Sequence, residues 1–433
     1  MREKILNDPR YKWYKRTVWT VAIIWASVVA VQSFPYYMLV GRGEAAFKHG
    51  AYVVAERDFK AAVNETRGLN EKDPRIARIL NNLAVLYRVQ GRYAEAEKYC
   101  SRTVAIAEKY FPNRSELPVS INNLAALLRD EGKYKESEEL YKRALDLWHN
   151  RVKTKGDPKL ASIISGLGKL YRDEGRYAEA EKMYLEALSI KQKALGKDHP
   201  EVAAVLDNLG GLMRDIGRYR ESLEYYRRAL AIDKKALGMS HPDTATDLNN
   251  LAGLLRDMHR PQEAEPLYER AFKIRIATLG PKHPLLAKSL SGMAELAVQK
   301  GKFPEAERLL GRAYELQTEA LGNEHPDVAT TLDLLGDVFT KEGKLAKAQK
   351  SLSHALTMRE KLLGPAHPDV GLTLMHMASL ELAMGNTRHA SNLLNQSVRI
   401  FKSSLGQEHP TTKRALAAVN EIKAGAKGAS VKS

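Results

Sequence analysis

The sequence predicts an all-α fold, namely a solenoid of helical hairpins preceded by one transmembrane helix. Three observations lead to this prediction. A short motif returns at a fixed spacing along most of the chain. Within each unit, apolar residues recur at helical spacing on both sides of a turn that usually contains glycine. A long uncharged segment lies close to the amino terminus.

The repeating motif is Leu-Gly-x-x-His-Pro, which recurs at a spacing of 42 residues. Degenerate junctions precede it at Asp73-Pro74, Leu117-Pro118 and Asp157-Pro158. A fixed period of this kind indicates a repeat architecture, in which each unit buries its apolar face against its neighbours. The length of 433 residues therefore does not imply several globular domains. The strict copies are Leu195–Pro200, Leu237–Pro242, Leu279–Pro284, Leu321–Pro326, Leu363–Pro368 and Leu405–Pro410.

Five of the eight units have a turn of the form Gly-Arg/Lys-aromatic, as in Gly91-Arg92-Tyr93, and the last two drift to Gly343-Lys344-Leu345 and Gly385-Asn386-Thr387. Glycine supplies the left-handed conformation that ends a helix. A small residue follows three positions after the aromatic, for example Ala96, and allows two helices to approach closely. The sequence therefore predicts one helical hairpin per unit. The fifth unit instead reads Met258-His259-Arg260-Pro261, so we expect a locally irregular joint there.

The segments Leu80–Ala84 and Gly91–Glu97 resemble the tetratricopeptide repeat, and the 42-residue period resembles its kinesin-light-chain subtype. The resemblance covers about residues 75–410 in eight units. It implies a right-handed superhelical solenoid whose first helices line a concave groove. The chain lacks the amino-terminal heptad region of a kinesin light chain, so a motor-cargo role does not follow. An anchored array of this type looks bacterial.

The amino-terminal segment is predicted to anchor the chain in a membrane. Residues 17–40 form a run of 24 without charge, which as a helix would extend roughly 36 Å against about 30 Å of hydrocarbon. Lysine and arginine residues in 1–16 place the amino terminus in the cytoplasm. The repeats would then lie outside the cytoplasm, on the periplasmic side of a bacterial inner membrane. A cleaved signal peptide and a buried soluble helix are the alternatives.

The net charge of +16 favours acidic partners or anionic surfaces. It does not indicate nucleic-acid binding, because the repeats contain no Lys/Arg cluster interleaved with aromatic residues. The predicted organisation is a basic cytoplasmic segment (1–16), a signal-anchor (17–40), a degenerate first repeat (41–74), eight repeats (75–410), a capping helix (411–424) and a disordered tail (425–433).

The motif histidines do not indicate a metal site. Neighbouring packed helices lie about 8–10 Å apart, so equivalent histidines in successive units cannot share one ion. Asp73 and Asp157 occupy the same place, directly before a proline, which is the position of a helix N-cap. The single cysteine, Cys100, is expected to be a small buried apolar residue. We therefore predict no metal and no cofactor.

Two columns of polar residues on the first helices mark a candidate binding surface. Asparagine is a poor helix-interior residue, yet Asn or Asp recurs in mid-helix, and an arginine follows about two turns later. The resemblance implies that the asparagines hold the backbone of an extended peptide while the arginines attract its acidic side chains. The candidate residues are Asn81, Asn82, Arg88, Asn122, Asn123, Arg129, Arg172, Asp207, Asn208, Arg214, Asn249, Asn250 and Arg256.

A structural interpretation of these columns stays open. An aspartate directly follows four of the arginines, so each arginine could pair with an acid of the next repeat, and each asparagine could bond its neighbours. Both columns stop after the fifth unit. Recognition is therefore predicted within residues 76–260. The later equivalents are Gly292/Val298, Leu334/Thr340 and His376/Leu382.

The sequence contains no phosphate-binding glycine loop, no His-Glu-x-x-His and no Gly-x-Ser-x-Gly, so it does not predict an enzyme. It predicts a membrane-anchored scaffold that binds an extended or acidic peptide segment of another protein. Two alternatives remain. Binding of an anionic envelope polymer or lipid would be strongly salt-sensitive, and self-association into a homo-oligomer would be visible by light scattering.

Overall fold

A computed structural model of the chain describes residues 34–154 and 156–430. These residues form helical hairpins stacked side by side. The helices are α1 (34–48), α2 (Tyr52–Glu65), α3 (Pro74–Val89), α4 (Tyr93–Tyr110), α5 (Glu116–Asp130), α6 (Tyr134–Leu147), α7 (Pro158–Asp173), α8 (Tyr177–Leu195), α9 (Pro200–Asp215), α10 (Tyr219–Ala236), α11 (Pro242–Asp257), α12 (Pro261–Leu279), α13 (Leu285–Gln299), α14 (Phe303–Leu321), α15 (Pro326–Lys341), α16 (Leu345–Leu363), α17 (Pro368–Ala383), α18 (Thr387–Ser404) and α19 (Pro410–Ser430). In each hairpin the odd-numbered helix, up to α17, comes first and the even-numbered helix second. Helix α19 closes the array, and a π-helical turn, Trp148–Val152, follows α6.

Most of the first helices begin with a proline that follows an Asp or His N-cap. The carboxylate of Asp73 accepts a hydrogen bond from the backbone N–H of Arg75. At the strict junctions the imidazole does the same through Nδ1, which lies 3.2 Å from the Glu201 nitrogen in the case of His199. These bonds satisfy a backbone donor that the first helical turn leaves free. The predicted N-cap role of the histidines is confirmed.

The joint of the fifth unit keeps the geometry of the other joints. His259 adopts a φ of +57°, the left-handed conformation that Gly217 supplies one unit earlier with a φ of +76°. The backbone N–H of Arg260 then bonds the Leu255 carbonyl at 2.9 Å, as the corresponding residues do elsewhere. The irregular joint that the missing glycine predicts is therefore not found.

The predicted transmembrane helix needs correction. Residues 17–33 of that segment lie outside the described residues, and 34–40 belong to α1. Tyr36 and Val40 are each 1% exposed in the core of the first hairpin, and the Tyr36 hydroxyl donates to the Arg75 carbonyl at 2.9 Å. Across 34–154 and 156–430, none of the helices combines the length and the apolar character that crossing a bilayer requires. The fold class is an all-α solenoid without a demonstrated membrane span, and the single-pass, periplasm-facing localisation is not supported.

Successive turns of the superhelix touch each other. The ring of a junction histidine packs against the glycine turn of a hairpin 233 to 235 residues earlier in the sequence. A Cβ added to Gly91 would lie only 2.8 Å from Pro326 Cδ and 3.1 Å from His325 Cδ2. We call these contacts the seam. Its four glycine–histidine pairs are Gly50–His283, Gly91–His325, Gly132–His367 and Gly175–His409.

The seam gives four of the motif histidines a role beyond capping. His283 is 4% exposed and His325 is 5% exposed. The side chain of His241, which makes no such contact with the described residues, is 38% exposed. Burial lowers the pKa of His283 to about 4 and also lowers the pKa of His325. The rings are therefore held neutral at the seam.

Candidate functional site

A continuous trough runs along one face of the first helices in the second half of the array. On α13 the lining residues Lys288, Ser291, Gly292 and Glu295 follow each other at spacings of three and one, so they lie on a single face of that helix. The trough consists of four clefts, with volumes of about 280, 320, 480 and 370 Å³ from the seam to α19. We call them the first to the fourth cleft.

Neighbouring clefts share lining residues, which makes the trough continuous. Lys288 and Asp327 line both the first and the second cleft. Arg256 and Thr330 line the second and the third. The third and fourth clefts meet at residues of α17 and α19, namely Leu372, His376 and Arg414.

Four of the predicted binding residues line the second cleft, namely Arg214, Asn249, Asn250 and Arg256. A fifth, Arg88, lines the first cleft. The Oδ1 atom of Asn249 is buried and has no hydrogen-bond partner in the described part of the chain. A buried acceptor without a partner costs about 1–3 kcal/mol. A ligand that brings an N–H group into this cleft would therefore gain from bonding it.

The asparagines of the earlier units bond other side chains. Asn123 donates to Asn81 of the preceding repeat at 2.8 Å, and Asn122 donates to Asn123 at 3.2 Å. Asn82 donates to Glu44 of the first hairpin at 3.1 Å. These contacts form an inter-repeat ladder on α3 and α5.

Asp207 belongs to a group of buried acids. It is hydrogen-bonded to Asp247 and to Asn250, and Asn208 is half-buried next to it in the sequence. Burial raises the pKa of Asp207, and burial together with the charge of Asp207 raises the pKa of Asp247. Burial also raises the pKa of the nearby Asp233, to about 6. The Asp207–Asp247 pair therefore retains a proton near neutral pH in the folded state.

Each predicted arginine pairs with an acid of the following repeat. Arg172 Nε lies 2.6 Å from Asp215 Oδ2, and Arg214 repeats this geometry with Asp257. The guanidinium also lies over a glycine of the next first helix, since a Cβ added to Gly211 would be 2.7 Å from Arg172 Nη1. The column is thus largely neutralised within the array. The five pairs are Arg88–Asp130, Arg129–Asp173, Arg172–Asp215, Arg214–Asp257 and Arg256–Glu295.

The third cleft contains a polar cluster that the sequence did not predict, and one of its members, His376, also lines the fourth cleft. His376 Nδ1 lies 2.9 Å from Asp333 Oδ2, and Arg359 Nη1 lies 3.4 Å from the same oxygen. Arg359 also donates to the hydroxyls of Thr373 and Thr330. His376 occupies the helix position that asparagine takes in earlier units. A histidine at that position was a usable signal, because the residues that flank it on α17, Leu374, Met375, Met377 and Ala378, are all apolar.

The model of the tetratricopeptide repeat family matches the chain in overlapping segments. Together they cover residues 75–235 and 243–403, which is more than half of the chain. The individual matches are 75–150, 117–184, 159–235, 243–319, 287–361 and 327–403. No curated protein is similar enough to the chain to count as a relative.

Several solved structures are similar to the chain. BtubC (BKLC) from P. vanneervenii is 26% identical, covers 55% of this chain and 92% of its own, and has a TM-score of 0.41. The TPR-like repeats of a candidate kinesin light chain from Podosopora anserina are 25% identical over 47% of this chain and 96% of their own, with a TM-score of 0.39. A Rap protein complexed with Competence and Sporulation Factor is 15% identical, covers 81% of this chain and 98% of its own, and has a TM-score of 0.52. The last of these shows the same fold.

Proposed function

Because the chain belongs to the tetratricopeptide repeat family, we propose that it binds an extended peptide segment of another protein in the trough. Arrays of this family are typically non-enzymatic scaffolds for protein–protein interaction. The observation that carries the proposal is the continuity of the four clefts from the seam to α19. An extended chain needs such a narrow, long surface, since each residue advances by about 3.3 Å.

The lining of the trough suits a peptide. The second cleft offers amide groups, and Asn249 presents a buried acceptor without a partner in the described chain. The third cleft adds apolar wall residues such as Val298, Leu334 and Leu372. Amides can bond a peptide backbone in both directions, while apolar walls bury its side chains. The contacts that we propose for Arg214, Asn249, Asn250 and Arg256 follow from their place in this lining.

The other predicted residues, in α3, α5, α7 and α9, remain candidates for peptide contact. Apart from Asn208, their side chains bond one another or the acids of neighbouring repeats, which favours a supporting role for them. Arg88 also lines the first cleft. The proposed centre of recognition therefore moves from residues 76–260 towards α11–α19. Acidity of the partner remains part of the proposal.

The test begins with random peptides displayed on phage and selected against the full chain. Recovered peptides are synthesised, and their Kd is measured by fluorescence anisotropy with Ser291→Trp and Ser353→Trp. Ser291 is half-buried in the second cleft, so an indole there fills the cleft and should weaken binding at least about tenfold. Ser353 is exposed on α16 outside the trough, so its variant should bind as the unmodified chain does.

Two outcomes would contradict peptide binding in the trough. One is a selection that enriches no peptide at all. The other is a set of peptides that bind Ser291→Trp as tightly as the unmodified chain.

A further inference from the structure

The trough must provide its own positive charge if its partner is acidic. The arginines from Arg88 to Arg256 are each paired with an acid of the next repeat, so their charge is already balanced. In the third cleft, Lys341 lies 2.5 Å from the Asp337 carboxylate. Arg359 is 3% exposed and is held by Asp333 and two threonines. These cations are largely occupied by groups of the chain itself.

Arg414 differs from these residues. It is exposed on α19 and lines both the third and the fourth cleft. Within 34–154 and 156–430 no carboxylate forms an ion pair with it, whereas its neighbour Lys413 is paired with Glu408 at 2.8 Å. An arginine fork without an acid partner can bind a carboxylate through two parallel hydrogen bonds.

His376 lines the same two clefts as Arg414. Its Nδ1 bonds the Asp333 carboxylate, which leaves Nε2 for another partner. Burial by itself would lower the pKa of His376, but the hydrogen bond and the charge of Asp333 outweigh burial and raise it. The same pairing lowers the pKa of Asp333 despite its burial. A protonated His376 would donate from Nε2.

Apolar residues surround these two donors. In the fourth cleft, Leu382, Leu394 and Ile422 are part of the wall, and Leu382 is 43% exposed. Glu421 lines the fourth cleft only, while Arg414 and His376 line both. An anion would therefore lie where the two clefts meet, on the side away from Glu421.

We propose that Arg414 and His376 together bind a carboxylate of the peptide in the trough, and that the apolar wall of the fourth cleft takes an adjoining apolar side chain. This inference rests on the proposed function, since it names the chemical feature that the trough selects. The carboxylate belongs either to the carboxyl terminus of the peptide or to an Asp or Glu side chain. The two sources present the same group to Arg414.

The experiment uses the peptides selected on the full chain and compares Arg414→Gln with Lys413→Gln. Both substitutions remove one positive charge from the same helix, but only Arg414 lines the trough. Arg414→Gln should weaken binding about tenfold or more, and Lys413→Gln should change it little. Each peptide is also tested with an amidated terminus and with its Asp and Glu residues replaced by Asn and Gln. Loss of affinity on amidation identifies a terminal carboxylate, and loss on replacement identifies a side chain.

The pH dependence of binding provides a second readout. Binding should be strongest when His376 is protonated and should weaken as the pH rises through its raised pKa. The charged groups that act on His376 are Asp333, Asp337 and Arg359. The other charged residues in the lining of its two clefts are Arg256, Glu295, Lys341, Asp369, Arg414 and Glu421. Asp333 remains ionised over this range because its pKa is lowered.

Equal affinities of Arg414→Gln and the unmodified chain would overturn the proposal. So would equal losses in Arg414→Gln and Lys413→Gln, or peptides that tolerate both amidation and neutralisation of their acids. In these cases Ser291→Trp still reports on the trough. If it abolishes binding, the proposed function stands without this carboxylate site, and if it does not, the proposed function fails separately.

Discussion

The Nε2 atom of His325 lies 2.8 Å from the backbone carbonyl oxygen of Val89, 236 residues earlier in the chain. This contact joins the start of α15 to the end of α3. At the other end of the seam the ring centroids of Tyr177 and His409 lie 6.3 Å apart. The two turns of the superhelix are therefore held together by side chains of the repeat motif itself.

Glycine-to-alanine substitutions separate the contribution of the seam from that of backbone strain. Gly175 and Gly217 have nearly the same φ, +74° and +76°. An added Cβ would clash with the His409 ring at Gly175 but would meet nothing within 4 Å at Gly217. Both alanines should cost about 1 kcal/mol for the left-handed conformation, and Gly175→Ala should cost about 1–3 kcal/mol more. Urea unfolding measures the difference, and equal losses would show that the seam adds no stability.

The seam histidines should make stability depend on pH. The pKa of His283 falls from 6.5 to about 4 on folding, so the folded state binds fewer protons between these values. The stabilisation is complete above about pH 6.5 and is lost as the pH falls towards 4. His49 and Arg275 near His283 act in the same direction.

The measurement for this prediction is urea unfolding at pH about 7.5 and about 5. His283→Gln should reduce the difference in unfolding free energy between the two pH values. His241→Gln is the matched control, because it loses the same N-cap bond at a half-exposed site outside the seam. A His283→Gln chain with the pH dependence of the unmodified protein would rule out protonation at this site as a cause.

The arginine column should stabilise the stacking of repeats. Arg172→Ala and Asp215→Ala remove opposite partners of one ion pair whose side chains are about a third exposed. A double-mutant cycle should therefore give a coupling free energy of about 1 kcal/mol. Circular dichroism should show unchanged helicity in all variants. A coupling free energy near zero, together with weaker peptide binding by Arg172→Ala alone, would instead support a direct contact with the ligand.

The buried acids Asp207 and Asp247, on successive first helices, should lower stability at neutral pH. Asp247 is 1% exposed and its pKa is raised by burial and by Asp207. Its carboxyl stays protonated in the folded chain but ionises when the chain unfolds, so stability falls as the pH rises above about 4. Asp247→Asn is neutral in both states and should raise the unfolding free energy by about 1–2 kcal/mol near pH 7.

Asp243→Asn is the control for this substitution, because Asp243 begins the same helix with a side chain that is 66% exposed. It should leave stability unchanged or lower it slightly through the helix dipole. If Asp247→Asn destabilises the chain at neutral pH, the carboxylate has a partner that its burial does not reveal.

Most of the fold could be predicted from local sequence patterns. The period, the glycine turns and the position of His before Pro are all readable within one unit, and the helices follow them closely. The contacts of the seam could not be predicted from the sequence, because they depend on small rotations between repeats that add up over more than five units. Gly91 and His325 look like ordinary members of their motif until the pitch of the superhelix is known.

The amino-terminal prediction failed for a related reason. An uncharged run with tyrosines near its end fits a bilayer boundary as well as it fits a hairpin core, and Tyr36 belongs to the core. The candidate site was predicted in part. Asn249 and Asn250 line the trough. Pairing of the arginines with acids of the next repeat was one of two interpretations that the sequence left open, and the structure contains these pairs. His376 and Arg414 interrupt the repeat pattern, so a search for periodicity passes over them.

The seam has a fixed register, because each of its histidines packs against a glycine of the preceding superhelical turn, 233 to 235 residues earlier. Loss or gain of one complete 42-residue unit would move every later histidine to a neighbouring glycine of the seam, so the glycine–histidine contacts would still form. An insertion of part of a unit would displace all later contacts at once. The chain can therefore gain or lose only complete repeat units if the contacts of the seam are to be kept.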